Sequence, residues 1–484
     1  METNKFNKKN NTLIGTFGII VILVTSFFFA NPPGASPDEL VHNAASWYTF
    51  EHGLPPTASR TVSNPLPTSL ILDNNCYKFQ REQDASCLPE KNNSMSSGYP
   101  MMTYAPIYYF VVGAGQHFST LWGNEAAIIG GRLASALLNL LVLFFALQKT
   151  FRRNKFAARL APIILTPMAL FLIPTVNPSG FEFCTSILFT TTLFYYFKDY
   201  ILDEKTVNAR AKLSLFVTTI LFGLARPSAI VWILIIFAVV FSSMMPLKSL
   251  LKTLNVLRTI FGIPFMLGVV FHLTHRHDTG SPTGYVPYDQ PTKLFYFQGF
   301  ISSMENFPKH LWESYGVLGW LDTPAPLTIV TGYFLLAIIL ATTIVKRMHL
   351  PKLTIAIMLF GVWPLISILE MLAWNAWPNW WQGRYSLPLL ASSLWFLILN
   401  SHSITEKFAV KFSGLCILGA SIVSLENLFR YSFGLQGYLP RRLVDPAVGD
   451  QEFFMSMFCI VACLSFGVYE VLGKKRFNGS DITA

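Results

Sequence analysis

The chain has 484 residues, of which 52% are hydrophobic and only 13% charged, against about 25% charged in soluble globular proteins. With a mean hydropathy of +0.44, it has too little charge to cover a soluble surface and too much apolar sequence to stay disordered. The net charge of +10 does not point to nucleic acid, because the basic residues sit in short clusters between apolar runs, where they report membrane topology.

A membrane helix needs about 20 apolar residues. In chain order such runs lie near 12–30, 127–148, 157–175, 182–197, 213–225, 228–247, 255–272, 326–345, 353–374, 385–401, 409–425 and 453–472. The first is read as a membrane helix rather than a cleaved leader, because it is long and is followed at once by residues with the look of a site. Residues 104–122 are apolar too, but they include Gln116, His117 and Tyr104, Tyr108 and Tyr109, and are read as an interfacial helix. That choice places the clusters around Lys5, Arg152, Lys205, Lys252, Arg347, Lys407 and Lys475 all on the cytoplasmic side.

The expected fold is therefore an all-α polytopic bundle of about twelve transmembrane helices with a long first extracytoplasmic loop. Residues 1–30 form the cytoplasmic tail and first span, and 31–125 the outer loop. Residues 126–272 hold spans two to seven, 273–325 a second outer loop, and 326–484 spans eight to twelve with their outer loops, including 375–384 and 426–451. Cys76 and Cys87 share the first outer loop. Outside the cytoplasm, that pair is expected to form a disulfide. The remaining cysteines fall in or beside apolar segments, as core residues do.

The chain leaves its first span as Asn31-Pro32-Pro33-Gly34-Ala35-Ser36-Pro37-Asp38-Glu39-Leu40-Val41-His42. Ser36 suits a helix N-cap, Pro37 the first helical position, and Glu39 would close a capping box worth about 0.5–2 kcal/mol. Asp38, on a rigid helix start at the membrane surface, is placed to take a proton from a hydroxyl. Asp38 and Glu39 are the candidate catalytic acids, and His42 lies one turn on, on the same face.

Further motifs follow in order: Tyr99-Pro100, Tyr104-Ala105-Pro106-Ile107-Tyr108-Tyr109, Asn177-Pro178-Ser179-Gly180, Arg226-Pro227-Ser228, Gly319-Trp320-Leu321-Asp322-Thr323-Pro324 and Gln382-Gly383-Arg384-Tyr385. Together with the acidic motif, over roughly residues 12–430, they resemble a bacterial family of predicted GT-C-type membrane glycosyltransferases. Where this chain has Tyr104-Ala105-Pro106, that family tends to have paired prolines. The resemblance implies a GT-C-like bundle and a polyprenyl-phosphate-linked sugar donor. It further implies an acceptor on the outer face of the cytoplasmic membrane, and an acidic residue of the first outer loop as the catalytic group.

A lipid-linked phosphate would sit at headgroup depth, where Arg132, Arg226 and Arg384 are expected at the outer ends of spans. Arginine reads phosphate with a planar fork and keeps its charge. These three are the candidate donor-phosphate ligands, with Tyr104, Tyr385 and His42 as candidate substrate contacts. Arg384 follows Trp374, Trp377, Trp380 and Trp381, an aromatic group suited to the headgroup level. Glu182 and Glu370, near span ends, read as packing or capping groups. His272, His275, His277 and Asp278 have metal-like spacing but lie in a Gly-containing polar loop, and no Asp-x-Asp motif is present, so no metal or cofactor is expected.

The expected function is an inverting transferase moving a sugar from a polyprenyl phosphate to a cell-wall glycan, glycolipid or protein acceptor, embedded in membrane lipid and without a nucleic-acid partner. A lipid-linked-glycan flippase or transporter is the alternative, and a glycan ligase or polymerase would share the same outer site. A carrier needs ionisable groups near mid-membrane, whereas the expected spans lack charged residues through their centres.

Overall fold

In a bilayer every backbone amide must be paired within the protein, which makes the helix the form open to a single apolar segment. The computed structural model is helical accordingly. It describes residues 2–54, 61–62, 65–72, 76–89, 94–96, 99–100, 104–199, 209–244, 261–274, 293–345, 362–373, 381–401, 405–437, 439–441 and 445–472.

Among the described residues six helices are long and apolar enough to cross a membrane. They are α1 (Glu2–Ala30), α4 (Ala127–Arg153), α10 (Pro227–Met244), α14 (Leu327–Val345), α17 (Glu406–Phe433) and α18 (Asp450–Leu472). Shorter apolar helices stand where further spans are expected: α9 (Ala209–Gly223), α11 (Ile263–Thr274) and α15 (Val362–Ala373). At the centre lies α8 (Pro178–Phe197), every residue of which is buried. It packs against α4, α9, α10 and α16 (Gly383–Asn400). Its hydroxyls do not forbid this position, because Thr185, Thr190 and Thr191 return hydrogen bonds to the carbonyls of Phe181, Ser186 and Ile187.

Two expectations are corrected. The run 157–175 is not one helix but three: α5 (Lys155–Arg159), α6 (Ala161–Ile164) and α7 (Pro167–Leu172). Pro162 and Pro167 cannot continue a helix from before them, yet suit the first turn of a new one; Asn154 caps α5 and Thr166 caps α7 with side-chain oxygens. At the other end, α17 runs on past the expected limit near 425 to Phe433. There Glu426 pairs with Arg81 at 2.8 Å and Asn427 Nδ2 donates to Asn31 Oδ1 at 2.7 Å, and Gly434, at φ 66°, stops the helix.

The 104–122 run forms α3 (Pro106–Ser119) and a 3-10 turn over Thr120–Trp122. Fourteen helical residues reach about 21 Å, short of a hydrocarbon core of about 30 Å. The helix packs between α2 (Glu39–His52) and α4. Glycines allow the close crossing: a Cβ on Gly115 would stand 2.5 Å from the Gly130 carbonyl oxygen.

Beyond α2 the chain forms two nested antiparallel ladders of two residues each, β1 (Thr61–Val62) with β4 (Tyr99–Pro100) and β2 (Leu66–Pro67) with β3 (Met95–Ser96). The loop they enclose carries the Cys76–Cys87 disulfide, as expected. What fastens that loop to the bundle is a residue that sequence reasoning passed over. Arg430, fully buried in the last turn of α17, donates to the carbonyls of Tyr77, Gln80 and Gln83. Asp322 adds to the clasp, accepting from the Phe79 amide at 2.9 Å and facing Arg430 at 3.7 Å. Lys78 Nζ stands 3.3 Å over the Trp320 ring.

The four other cysteines, Cys184, Cys416, Cys459 and Cys463, are buried. A mass-shift maleimide assay on the native protein should therefore modify no cysteine without reductant and two after mild reduction, with the rest reacting only on denaturation. Modification of Cys76 and Cys87 in unreduced protein would contradict the bond.

Candidate functional site

The segment that leaves α1 is fixed before it reaches Asp38, and not by the capping box expected of Ser36 and Glu39. Helix α2 begins at Glu39, with Asp38 as its N-cap residue. The fully buried Glu39 carboxylate faces away from its own helix start and accepts four hydrogen bonds. Two come from Arg132, Nε and Nη2 both at 2.7 Å, one from the Gly34 amide at 3.0 Å, and one from the Val176 amide at 3.2 Å. Arg132 spends its other donors on the carbonyls of Asn31 and Pro32. The chain has better use for this pair than a cap or a phosphate ligand: it joins α2 and α4 and holds the loop between α1 and α2.

The next turns of the loop are pinned from other elements. Tyr77 donates to the Pro33 carbonyl at 2.6 Å, Trp320 Nε1 to that of Gly34 at 3.0 Å, and Asn177 Nδ2 to that of Pro37 at 2.9 Å. Asn177 also caps α8 through its side-chain oxygen. Held from all sides, Asp38 adopts φ 62°, ψ 7°, a left-handed conformation that costs an L-residue about 1–2 kcal/mol and that Asp tolerates better than most.

Around Asp38 the structure gathers His42, Tyr104, Arg226, Arg384 and Tyr385. Arg384 Nη2 donates to Asp38 Oδ2 at 2.8 Å and to the Tyr385 hydroxyl at 3.2 Å. Arg226 Nη1 donates to Ser179 Oγ at 2.7 Å and lies 3.7 Å from Glu182 Oε2. Its guanidinium carbon stands 4.6 Å from the Tyr385 ring centroid and 5.4 Å from that of Tyr104. The Arg384 guanidinium lies 5.1 Å from the Tyr385 ring, so one aromatic ring serves both cations. His42 shares a 2.8 Å hydrogen bond between Nδ1 and the Tyr109 hydroxyl.

The balance of donors and acceptors here is uneven. Arg384 is buried, and among the described residues its Nε and Nη1 have no hydrogen-bond partner; neither has Arg226 Nε. Asp38 is 30% exposed at its side chain, against 3% for Arg384. The site thus presents a reachable carboxylate beside two guanidiniums that still have donors to give. Burial pushes His42 down to about 3, against the opposing pull of Asp38, with Arg226 and Arg384 adding to the fall. Burial also pushes the Tyr104 hydroxyl above its ordinary value. At neutral pH both are neutral hydrogen-bonding groups.

Glu182 faces Arg226 and accepts from Ser228 Oγ at 2.6 Å, which goes beyond the packing or capping expected of it. His272 lies apart, bonded to the Gly223 carbonyl at 2.9 Å; His275, His277 and Asp278 lie outside the described residues, as do Trp374, Trp377 and Trp380. A cavity of about 790 Å³ opens at the far end of α4, beside Lys149, Arg153, Tyr195 and Asp199, and contains none of the expected site residues.

A family model described as "Predicted membrane protein (DUF2142)" matches residues 21–393. Among solved structures the chain is similar to ArnT from Cupriavidus metallidurans bound to undecaprenyl phosphate. The identity is 13% and the TM-score 0.38, over 94% of this chain and 76% of that one. Comparison with curated proteins finds no match.

Two outcomes follow from this geometry. Glu39→Ala leaves Arg132 buried without its counter-charge, a loss of about 3–5 kcal/mol, so thermal unfolding in detergent should shift far down. Asp38→Asn, at a side chain 30% exposed and keeping an oxygen that Arg384 can donate to, should lower the melting temperature less than Glu39→Ala; equal melting of the two variants would contradict the assignment. For His42 the folded-state value lies below the ordinary 6.5, so its contribution is intact above that pH and lost as pH falls toward about 3. Each pH unit in that window costs about 1.4 kcal/mol, and His42→Gln should flatten the drop in melting temperature between neutral and mildly acidic buffer.

Proposed function

This chain belongs to the DUF2142 family of predicted membrane proteins, and we propose that it is an inverting glycosyltransferase using a polyprenyl-phosphate-linked sugar. The transfer takes place at the extracytoplasmic face of the bacterial cytoplasmic membrane, to a cell-envelope acceptor. The observation that carries this reading is a reachable carboxylate, Asp38, paired with the buried Arg384 and close to the partly buried Arg226, with Arg384 Nε and Nη1 and Arg226 Nε meeting no acceptor among the described residues. Buried donors of that kind are costly unless something accepts from them, and a phosphate offers several oxygens in the plane a guanidinium favours.

In this reading the donor phosphate lies against Arg226 and Arg384, with its polyprenyl tail in the bilayer. Asp38 accepts the proton of an acceptor hydroxyl as its oxygen attacks the anomeric carbon. The bond from that carbon to the phosphate oxygen breaks, the electron pair leaves with the phosphate, and the sugar centre inverts in one displacement. Charge grows on the phosphate as the bond lengthens, where fixed guanidiniums stabilise it without having to reorganise. The left-handed backbone of Asp38 and its bond to Arg384 keep base and phosphate site in register. His42 and Tyr104, neutral under working conditions, are left to bind sugar hydroxyls. In that arrangement the countercharge comes from the two arginines, and no metal or cofactor is called for.

Arg384→Lys and Arg226→Lys retain charge but lose the planar fork. Each should cut transfer from a defined polyprenyl-phosphate sugar by about 100-fold or more, with membrane insertion and protein level preserved. Asp38→Asn should abolish most turnover. Near-wild-type transfer by both lysine variants would overturn the phosphate assignment.

A further inference from the structure

Two buried carboxylates stand behind Arg384, on helices that come from other parts of the chain. Glu313 lies on α13 (Phe307–Gly316), and its Oε2 accepts from the Gly383 amide at 2.9 Å, with His310 Nδ1 at 3.2 Å. Glu370, on α15, accepts from the Trp381 amide at 3.0 Å through Oε1. The two acids therefore bracket Gln382, two residues before Arg384. Both are almost completely buried, Glu313 at 4% and Glu370 at 1% exposure. Two carboxylates taken out of water to hold two backbone amides are an expensive way to fasten a loop. The ordinary choice for the start of a helix is the N-cap residue's own side-chain oxygen, and Gln382, the N-cap residue of α16, makes no such cap.

What they fasten is the platform of the site. A Cβ on Gly383 would stand 2.2 Å from the His310 carbonyl oxygen and 2.4 Å from the Ser314 nitrogen, so the segment is pressed onto α13 with no room for a side chain. Trp381 donates from Nε1 to Ser386 Oγ at 2.9 Å and sets the edge of its ring against Tyr385, centroids 5.7 Å apart. Tyr385 is the ring on which both guanidiniums lie. A carboxylate at a helix N-terminus also gains from the helix dipole.

We propose that Glu313 and Glu370 are positioning residues of the arginine pair. Through the amides of Gly383 and Trp381 they set the 381–385 segment, and so aim the Arg384 fork and the Tyr385 ring. Their value for ligand binding rests on the phosphate reading above; the positioning itself does not.

The test uses the full-length protein in lipid nanodiscs and a short-chain polyprenyl phosphate as probe. Glu313→Ala and Glu370→Ala should each weaken phosphate binding about tenfold and raise hydrogen exchange selectively at 381–385. The matching Gln variants, which keep an acceptor oxygen, should restore most of both. Against an Arg384→Ala background the binding loss from either Glu variant should vanish, since the acids act through that residue. Should an Ala variant fail to fold, the Gln variant alone must show the same two changes at smaller size. Unchanged exchange at 381–385, or an undiminished binding loss in the Arg384→Ala background, overturns the proposal. Wild-type phosphate binding by Arg384→Ala would instead count against the phosphate reading, and exchange at 381–385 would still decide the positioning role.

Discussion

The buried pair of Glu39 and Arg132 is the constraint on which the rest of the site depends. Two charges removed from water lose several kcal/mol of solvation each, and only close geometry with further hydrogen bonds makes up the loss. Here the carboxylate collects two guanidinium and two amide donors, and the guanidinium reaches two loop carbonyls besides. The fork ties together α1's exit, the start of α2 and the middle of the α7–α8 turn at Val176. Asp38, one residue before Glu39, has no freedom left, and its left-handed backbone follows from that.

The three arginines at this end of the bundle show how far surroundings set the work of a residue type. Arg132 is consumed by protein acceptors. Arg226 is held by Ser179 and Glu182, and Arg384 gives one nitrogen to Asp38 and Tyr385, while among the described residues Arg226 Nε and Arg384 Nε and Nη1 find no acceptor. Phosphate recognition suits the last two, since a ligand there completes bonds instead of displacing them.

Helical character, the cysteine pair and the grouping of Asp38, His42, Tyr104, Arg226, Arg384 and Tyr385 could all be read from the chain, because each left a local mark: an apolar run, a spacing, a cation at the end of a run. Glu39 misled because Ser36-Pro37-Asp38-Glu39 satisfies the grammar of a capping box, while its real partner lies 93 residues away and no local pattern encodes that distance. The break in 157–175 had a signal in Pro162 and Pro167, outweighed by hydrophobicity. Arg430 lies 108 residues from its acidic partner Asp322 and otherwise takes backbone carbonyls. Lys309 and His310, one turn before Glu313, are a local sign of a paired acid, but its bond to the Gly383 amide leaves no complementary residue in the sequence to search for.

Arg430 also imposes an order on assembly. Its nearest clasped carbonyl belongs to Gln83 and its farthest to Tyr77, 353 residues earlier. At a synthesis rate of roughly 5–20 residues per second, the disulfide loop would precede its clasp by about 20–70 s. Until α17 arrives, the loop lacks its seat. Docking of the loop is thus a step separate from closure of its disulfide, and the segment beside Asp38 takes its final shape only once Arg430 is in place.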